Sequence, residues 1–131
     1  MPDEILSSVA DPGAGAILLF LGTVRNKSEA GGVKEMTYEA YAPLAEKKLK
    51  ELEGTMKRRW PLKKVRLVHR VGRLQLKDIS VAVAVSSAHS AEAFEACRFG
   101  IEQVKRNVPI WKKEKLTTGT EVWVKGCRIE T

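Results

Sequence analysis

Nothing constrains this chain more than the run from Ile79 to Ser87, where Val81, Val83 and Val85 alternate with the small residues Ala82 and Ala84. Period-two alternation with β-branched residues predicts a strand, and the alanines leave room for a helix to pack closely on the sheet. Ser90 follows as the expected N-cap of a helix from Ala91 to about Arg106. Plotted at about 100° per residue, Phe94, Cys97, Ile101 and Val104 form one apolar stripe, so one face of that helix is expected to be buried.

A second stretch, Ala14 to Val24, holds Ile17, Leu18, Leu19, Phe20 and Leu21 in succession, which suits a strand buried on both faces. Gly22 near its end marks a bulge or a close backbone approach, after which Thr23-Val24-Arg25-Asn26 emerges at the sheet's edge. Asn26 to Gly32 reads as a polar loop, and Val33 to Tyr41 as a second strand, expected to run antiparallel to the first. Pro43 suits the first turn of a helix in which Leu44, Ala45, Lys48, Leu49, Leu52 and Met56 recur at helical spacing up to about Arg59. Its other face mixes Glu46, Lys47, Lys50, Glu51 and Glu53, the pattern of a solvated surface rather than a nucleic-acid stripe. Lys64 to Val71 is a third strand with Val65, Leu67 and His69 toward the core, and Glu121 to Ile129 a last short one. Strand, strand, helix, strand, strand, helix, strand implies an α+β fold, a mostly antiparallel sheet with helices packed on one face.

The 131 residues are expected to form a single domain, 1–131, around one core. No apolar run approaches the ~20 residues that span a bilayer, so no membrane association is expected. The N-terminal Met1-Pro2-Asp3-Glu4-Ile5 lacks the basic and apolar regions of a secretory signal, which points to a cytoplasmic protein. A formal net charge of +7 calls for an anionic partner. Cys97, Cys127, His69 and His89 form no metal-binding spacing, so neither a metal nor a cofactor is expected, and Cys97, within the apolar stripe, reads as a buried thiol.

Candidate chemistry centres on Lys105 to Glu114, where cations gather at a helix end broken by Pro109. Lys105 falls inside the apolar stripe. It reads either as a desolvated amine, with a pKa lowered toward proton transfer or nucleophilic attack, or as a lysine complementing the helix dipole with its stem over apolar surface. Arg25, after a buried strand and a glycine, can clamp a phosphate or simply end the strand at the surface. His89 lies before a helix N-terminus that attracts anions, or is an exposed capping residue. His69, beside Arg70, reads as a packed structural histidine. Lys112, Lys113 and Lys115 around Trp111 could stack a base, but aromatics are only 6% of the chain and its cations are spread over several elements, which disfavours nucleic acid.

Six strings carry a resemblance that composition cannot: Phe20-Leu21-Gly22-Thr23-Val24-Arg25-Asn26, Tyr38-Glu39-Ala40-Tyr41, Val68-His69-Arg70-Val71-Gly72, Val85-Ser86-Ser87-Ala88-His89, Ala93-Phe94-Glu95-Ala96-Cys97 and Val108-Pro109-Ile110-Trp111-Lys112-Lys113-Glu114. In this order, over nearly the whole chain, they resemble the large, catalytic subunit of molybdopterin synthase, the MoaE family. The resemblance implies an α/β hammerhead fold with a small extra β subdomain and a sulfurtransferase of molybdenum cofactor biosynthesis. In that reaction a small ubiquitin-like carrier subunit inserts its C-terminal Gly-Gly thiocarboxylate and sulfur passes to cyclic pyranopterin monophosphate, forming the dithiolene of molybdopterin. The terminal Arg128-Ile129-Glu130-Thr131 does not resemble the carrier's tail. The implied assembly is a homodimer within a heterotetramer.

Residue by residue, the resemblance implies substrate binding by Thr23, Val24 and Arg25, with His89 in the same pocket. It makes Lys105 and Lys112 the two catalytic lysines, and has Lys113 and Glu114 line the site. Phe20 matches an aromatic near the pocket. Ser90 stands in the substrate-binding set where many relatives carry arginine, and Arg128 is a candidate replacement for that anion contact. A competing reading, a binding module that kept the fold and lost the reaction, draws on Ser90.

Overall fold

The computed structural model describes residues 1–125. In chain order the elements are α1 (Pro2–Val9), β1 (Ala16–Thr23), β2 (Lys27–Ser28), β3 (Gly31–Ala40), α2 (Ala42–Arg59), β4 (Leu62–His69), β5 (Gly72–Gln75), β6 (Ile79–Ser87), α3 (Ser90–Asn107), β7 (Ile110–Leu116) and β8 (Glu121–Lys125). Among the described residues no helix is long and apolar enough to cross a membrane.

The Val/Ala alternation of β6 places it at the centre of a three-stranded antiparallel sheet, β1-β6-β4. Its two faces carry different covers. Val81, Val83 and Val85 pack with Ala93, Ala96, Cys97, Ile101 and Val104 of α3 and with Met56 of α2, in the largest core cluster. Ala82 and Ala84 pack against Ile5 and Val9 of α1 on the opposite face. The helix that exploits the alanines is therefore α1, an element the sequence reading did not include. The antiparallel α+β class holds, with α2 and α3 on one face of this sheet and α1 added on the other.

The expected pairing of the strand after Val33 with the first strand is not found. β1 pairs with β6, while β3 pairs with β7 from Val33↔Leu116 to Ala40↔Ile110. The cause is local: β2 and β3 close a tight hairpin, Lys27↔Gly32 and Ser28↔Gly31, in which Gly31 takes the left-handed φ of 125° that other residues resist. The chain then enters a second sheet, β2-β3-β7-β8 with β5 also on β3, which has its own core of Val24, Val33, Met36, Leu74 and Leu116. Cys127, Arg128 and the end of the strand expected to reach Ile129 lie outside the described residues.

Candidate active site

A cavity of about 480 Å3 opens where the two sheets meet the C-terminal half of α3, within the size range of small-molecule sites. Phe20, Thr23, Val24, Arg25, Lys105, Lys112 and Glu114 all line it, so seven of the expected site residues converge. Each arrives for a local reason. β1 breaks register with β6 between Gly22 and Thr23, as its glycine suggested, and the chain after it is held by Val24 N–H donating to the Asp78 carbonyl (3.0 Å) and Lys77 N–H to the Val24 carbonyl (2.8 Å). Val24 is buried by this and Arg25 is left exposed at the cavity. On β7, Lys112 and Glu114 are two apart and share a strand face, opposite Tyr38 and Met36 of β3. Glu114 is 2% exposed and lines the same cavity as the cations Arg25, Lys27, Lys105 and Lys112.

Five expectations are corrected. Lys105 is exposed, so its amine is not the desolvated group the stripe suggested. The buried face of α3 runs through Ala93, Ala96, Cys97, Gly100, Ile101 and Val104, and Phe94 is 63% exposed. Small residues set that face because a Cβ on Gly100 would stand 2.9 Å from Met56 Cε, so α3 seats closely and turns Lys105 and Phe94 to its flank. Lys113 does not line the cavity: neighbouring strand residues alternate faces, and its ammonium lies 5.4 Å from the Trp123 ring centre and 3.5 Å from Glu121 Oε2. His89 and Ser90 are exposed at the opposite end of α3, about 24 Å from Lys105 by helix rise, and so do not share this cavity within one chain. His89, not Ser90, is the N-cap residue, and it makes no side-chain capping bond. Arg128 lies outside the described residues.

The structure also brings in residues the sequence reading did not select. His69, which reads from the sequence as a packed structural histidine, lines the cavity with Tyr38 and Ser80. The Tyr38 and His69 rings meet near edge-on, centroids 4.9 Å apart. Burial pushes the His69 imidazole below its usual 6.5, opposed by its bond to the Arg70 carbonyl. Burial pushes the Tyr38 phenol above 10, opposed by its hydrogen bond with Ser80 and assisted by the Glu114 charge. The signal for His69 was its place in Val68-His69-Arg70-Val71-Gly72, two residues on from the core residue Leu67. Among the described residues no three imidazole, thiol or carboxylate groups converge as a metal site.

The model of the MoaE protein family matches residues 1–107. A relative from Halalkalibacterium halodurans, named molybdopterin synthase catalytic subunit, is 44% identical over 128 residues, 98% of this chain and 81% of its own length. The chain belongs to the MoaE family. MoaE membership makes it an enzyme of molybdenum cofactor biosynthesis, grouped with the catalytic subunits of molybdopterin synthase. The MoaE fold is matched by the crystal structure of molybdopterin synthase from Staphylococcus aureus, with a TM-score of 0.89 and 36% identity over 95% of this chain and 90% of that one. A complex of subunits 1 and 2 of molybdopterin-converting factor from Helicobacter pylori shares the fold at a TM-score of 0.73 and 20% identity, over 95% of this chain and 78% of that one. Some MoaE relatives are longer: the chain spans 60% of the Homo sapiens molybdopterin synthase catalytic subunit, at 42% identity over 112 residues, or 86% of this chain.

Proposed function

We propose that this chain transfers sulfur from the C-terminal thiocarboxylate of a small ubiquitin-like carrier to cyclic pyranopterin monophosphate, building the dithiolene of molybdopterin in the cytoplasm. The observation that carries this reading is the convergence of Arg25, Lys105 and Lys112 on one cavity of substrate size. A cyclic phosphate and an acyl carbon that becomes an oxyanion both need fixed cations, and neither needs a protein nucleophile. Arg25, with its planar fork of donors, and Lys112 bind the phosphate. Lys105, on the exposed flank at the end of α3, presents its ammonium to the reacting groups, where it stabilises the oxyanion formed as water attacks the thiocarboxylate carbon and its sulfur leaves, or gives a proton to the pterin oxygen that the incoming sulfur displaces. Thr23 and Val24 set the backbone from which Arg25 projects, and Phe20 supplies apolar wall.

The carrier partner is supported by the shared fold of the two-subunit Helicobacter pylori complex. A homodimer with one carrier at each end gives His89 and Ser90 a role that the geometry of one chain denies them, since a second copy can bring them to the cavity. The deciding experiment mixes the chain with thiocarboxylated carrier and the cyclic pterin phosphate. Dithiolene product is expected, and its absence with all components folded overturns the proposal.

A further inference from the structure

Of the charged side chains that line the cavity four are cations, which only donate hydrogen bonds, and one, the Glu114 carboxylate, accepts them, beside the hydroxyls of Thr23, Ser28, Tyr38 and Ser80. Arginine and lysine side chains have no acceptor atom, so Arg25, Lys27, Lys105 and Lys112 suit a phosphate, and the N–H groups of a heterocycle must be met by the cavity's few neutral or anionic acceptors. His69 can supply an acceptor. It ends β4 opposite Val81 of β6, on the same strand face as Val65 and Leu67, and this brings its side chain to the cavity wall. Its Nδ1 lies 2.8 Å from the Arg70 carbonyl oxygen. A carbonyl only accepts, so Nδ1 carries the proton, and in the neutral ring the lone pair sits on Nε2. The ring is also braced: Tyr38 meets it at an interplanar angle of 67°, Tyr38 hydrogen-bonds with Ser80, and Ser80 Oγ donates to the Gly22 carbonyl at 3.2 Å.

We infer that His69 is a substrate-contacting residue whose neutral imidazole offers Nε2 as the acceptor for an N–H of the bound pterin ring. This deepens the proposed function and rests on it. Burial, which lowers the imidazole's proton affinity, keeps the ring neutral at neutral pH. The ionisable groups that share its cavity are Tyr38 from β3, Lys112 and Glu114 from β7, Lys105 from α3, Arg25 beyond β1 and Lys27 of β2, with Arg70 beside it in sequence. On the outer side of β4 stand Glu46, Lys50 and Glu53 of α2, with Arg66 of β4 itself. Protonation in acid would convert Nε2 from acceptor to donor and add a cation to a cationic cavity.

The test is calorimetric titration of the full chain with cyclic pyranopterin monophosphate. His69→Leu is expected to weaken binding about tenfold near neutral pH, the size of one lost hydrogen bond. His69→Gln, whose carboxamide can place an acceptor where Nε2 stood, is expected to stay within about threefold of the parent. Between about pH 7.5 and about pH 5.5 the parent should lose affinity more steeply than His69→Gln, because only the imidazole titrates there. A folded His69→Leu chain that binds within about twofold of the parent overturns the inference while leaving the proposed function intact. A parent chain that binds no pterin phosphate overturns both. If His69→Leu does not fold, the nitrogen-15 resonance of His69 Nε2 in the parent decides: a shift on adding ligand is expected, and an unmoved resonance overturns the contact.

Discussion

A Cβ added to Gly22 would stand 2.5 Å from Val81 Cγ1, closer than packed carbons approach. The register of β1 against β6 shifts at this same point, between Gly22 and Thr23, and the residues that follow are Val24, which is buried, and Arg25, which reaches the cavity. The close approach of strand to strand is thus part of what aims the guanidinium. Gly22→Ala is expected to destabilise the fold by about 1–3 kcal/mol, the usual range for overpacking, and to weaken pterin phosphate binding by displacing Arg25. Adding Val81→Ala, which removes the obstructing methyl, should return part of the loss, so the two substitutions will not be additive. Urea unfolding of both singles and the double checks this; simple additivity would show that the contact does not set the geometry.

Lys112 and Lys113 are adjacent in sequence and opposite in role. Lys112 faces the cavity, whereas Lys113 faces Trp123 and Glu121 across β8. Lys112→Ala is expected to weaken binding of the pterin phosphate by about tenfold, one charge-assisted contact. Lys113→Ala should leave binding within about twofold and change stability by roughly 1 kcal/mol or less, given exposed partners. Parallel titrations of the two variants decide it, and equal losses would mean that the strand register does not govern which lysine meets substrate.

Lys105 is exposed, so replacing it should hardly disturb the fold, within about 0.5 kcal/mol. Lys105→Ala is nevertheless expected to lower turnover by about a hundredfold or more while preserving carrier binding, the pattern of a lost oxyanion contact. Single-turnover dithiolene formation, read beside a carrier-binding titration, measures both quantities. An active alanine variant would remove Lys105 from the chemistry.

Most of the three-stranded layer was legible because its residues follow one rule at a time. Ile79–Ser87 alternates cleanly, and the observed strand has those bounds. The helix from Pro43 to Arg59 repeats at helical spacing and differs from α2 by one residue at its start. β7 was hidden because two of its inward positions, between Ile110 and Leu116, are Lys112 and Glu114, so the functional residues erase the apolar half of the alternation. For the same reason the partner of β3 is not legible in the sequence, since its neighbour β7 does not read as a strand. The cations of the site were legible by type and by resemblance. What the chain could not reveal is which face each takes: Lys113 is separated from Lys112 by a pleat, His89 from Lys105 by the length of α3, and Phe94 is exposed because Gly100 and the alanines, not the larger residues, define the packing face.

The half-buried imidazole of His69 also makes stability depend on pH, with a definite sign. Burial holds its folded-state pKa below the 6.5 of an exposed histidine, so in mild acid the unfolded chain takes up a proton that the folded chain resists. Stability from this group is therefore fully present above 6.5 and falls as the pH drops from there toward the folded-state value. Below that value both states are protonated and no further loss comes from it. His69→Gln cannot bind the proton, so its unfolding free energy should decline less than the parent's over this window, and the gap between the two proteins should change in the variant's favour as acid is added. Urea unfolding of both across the window, in the absence of ligand, measures the difference directly. Parallel curves would mean that the imidazole is as hydrated in the fold as in the unfolded chain, contrary to its place beneath Tyr38.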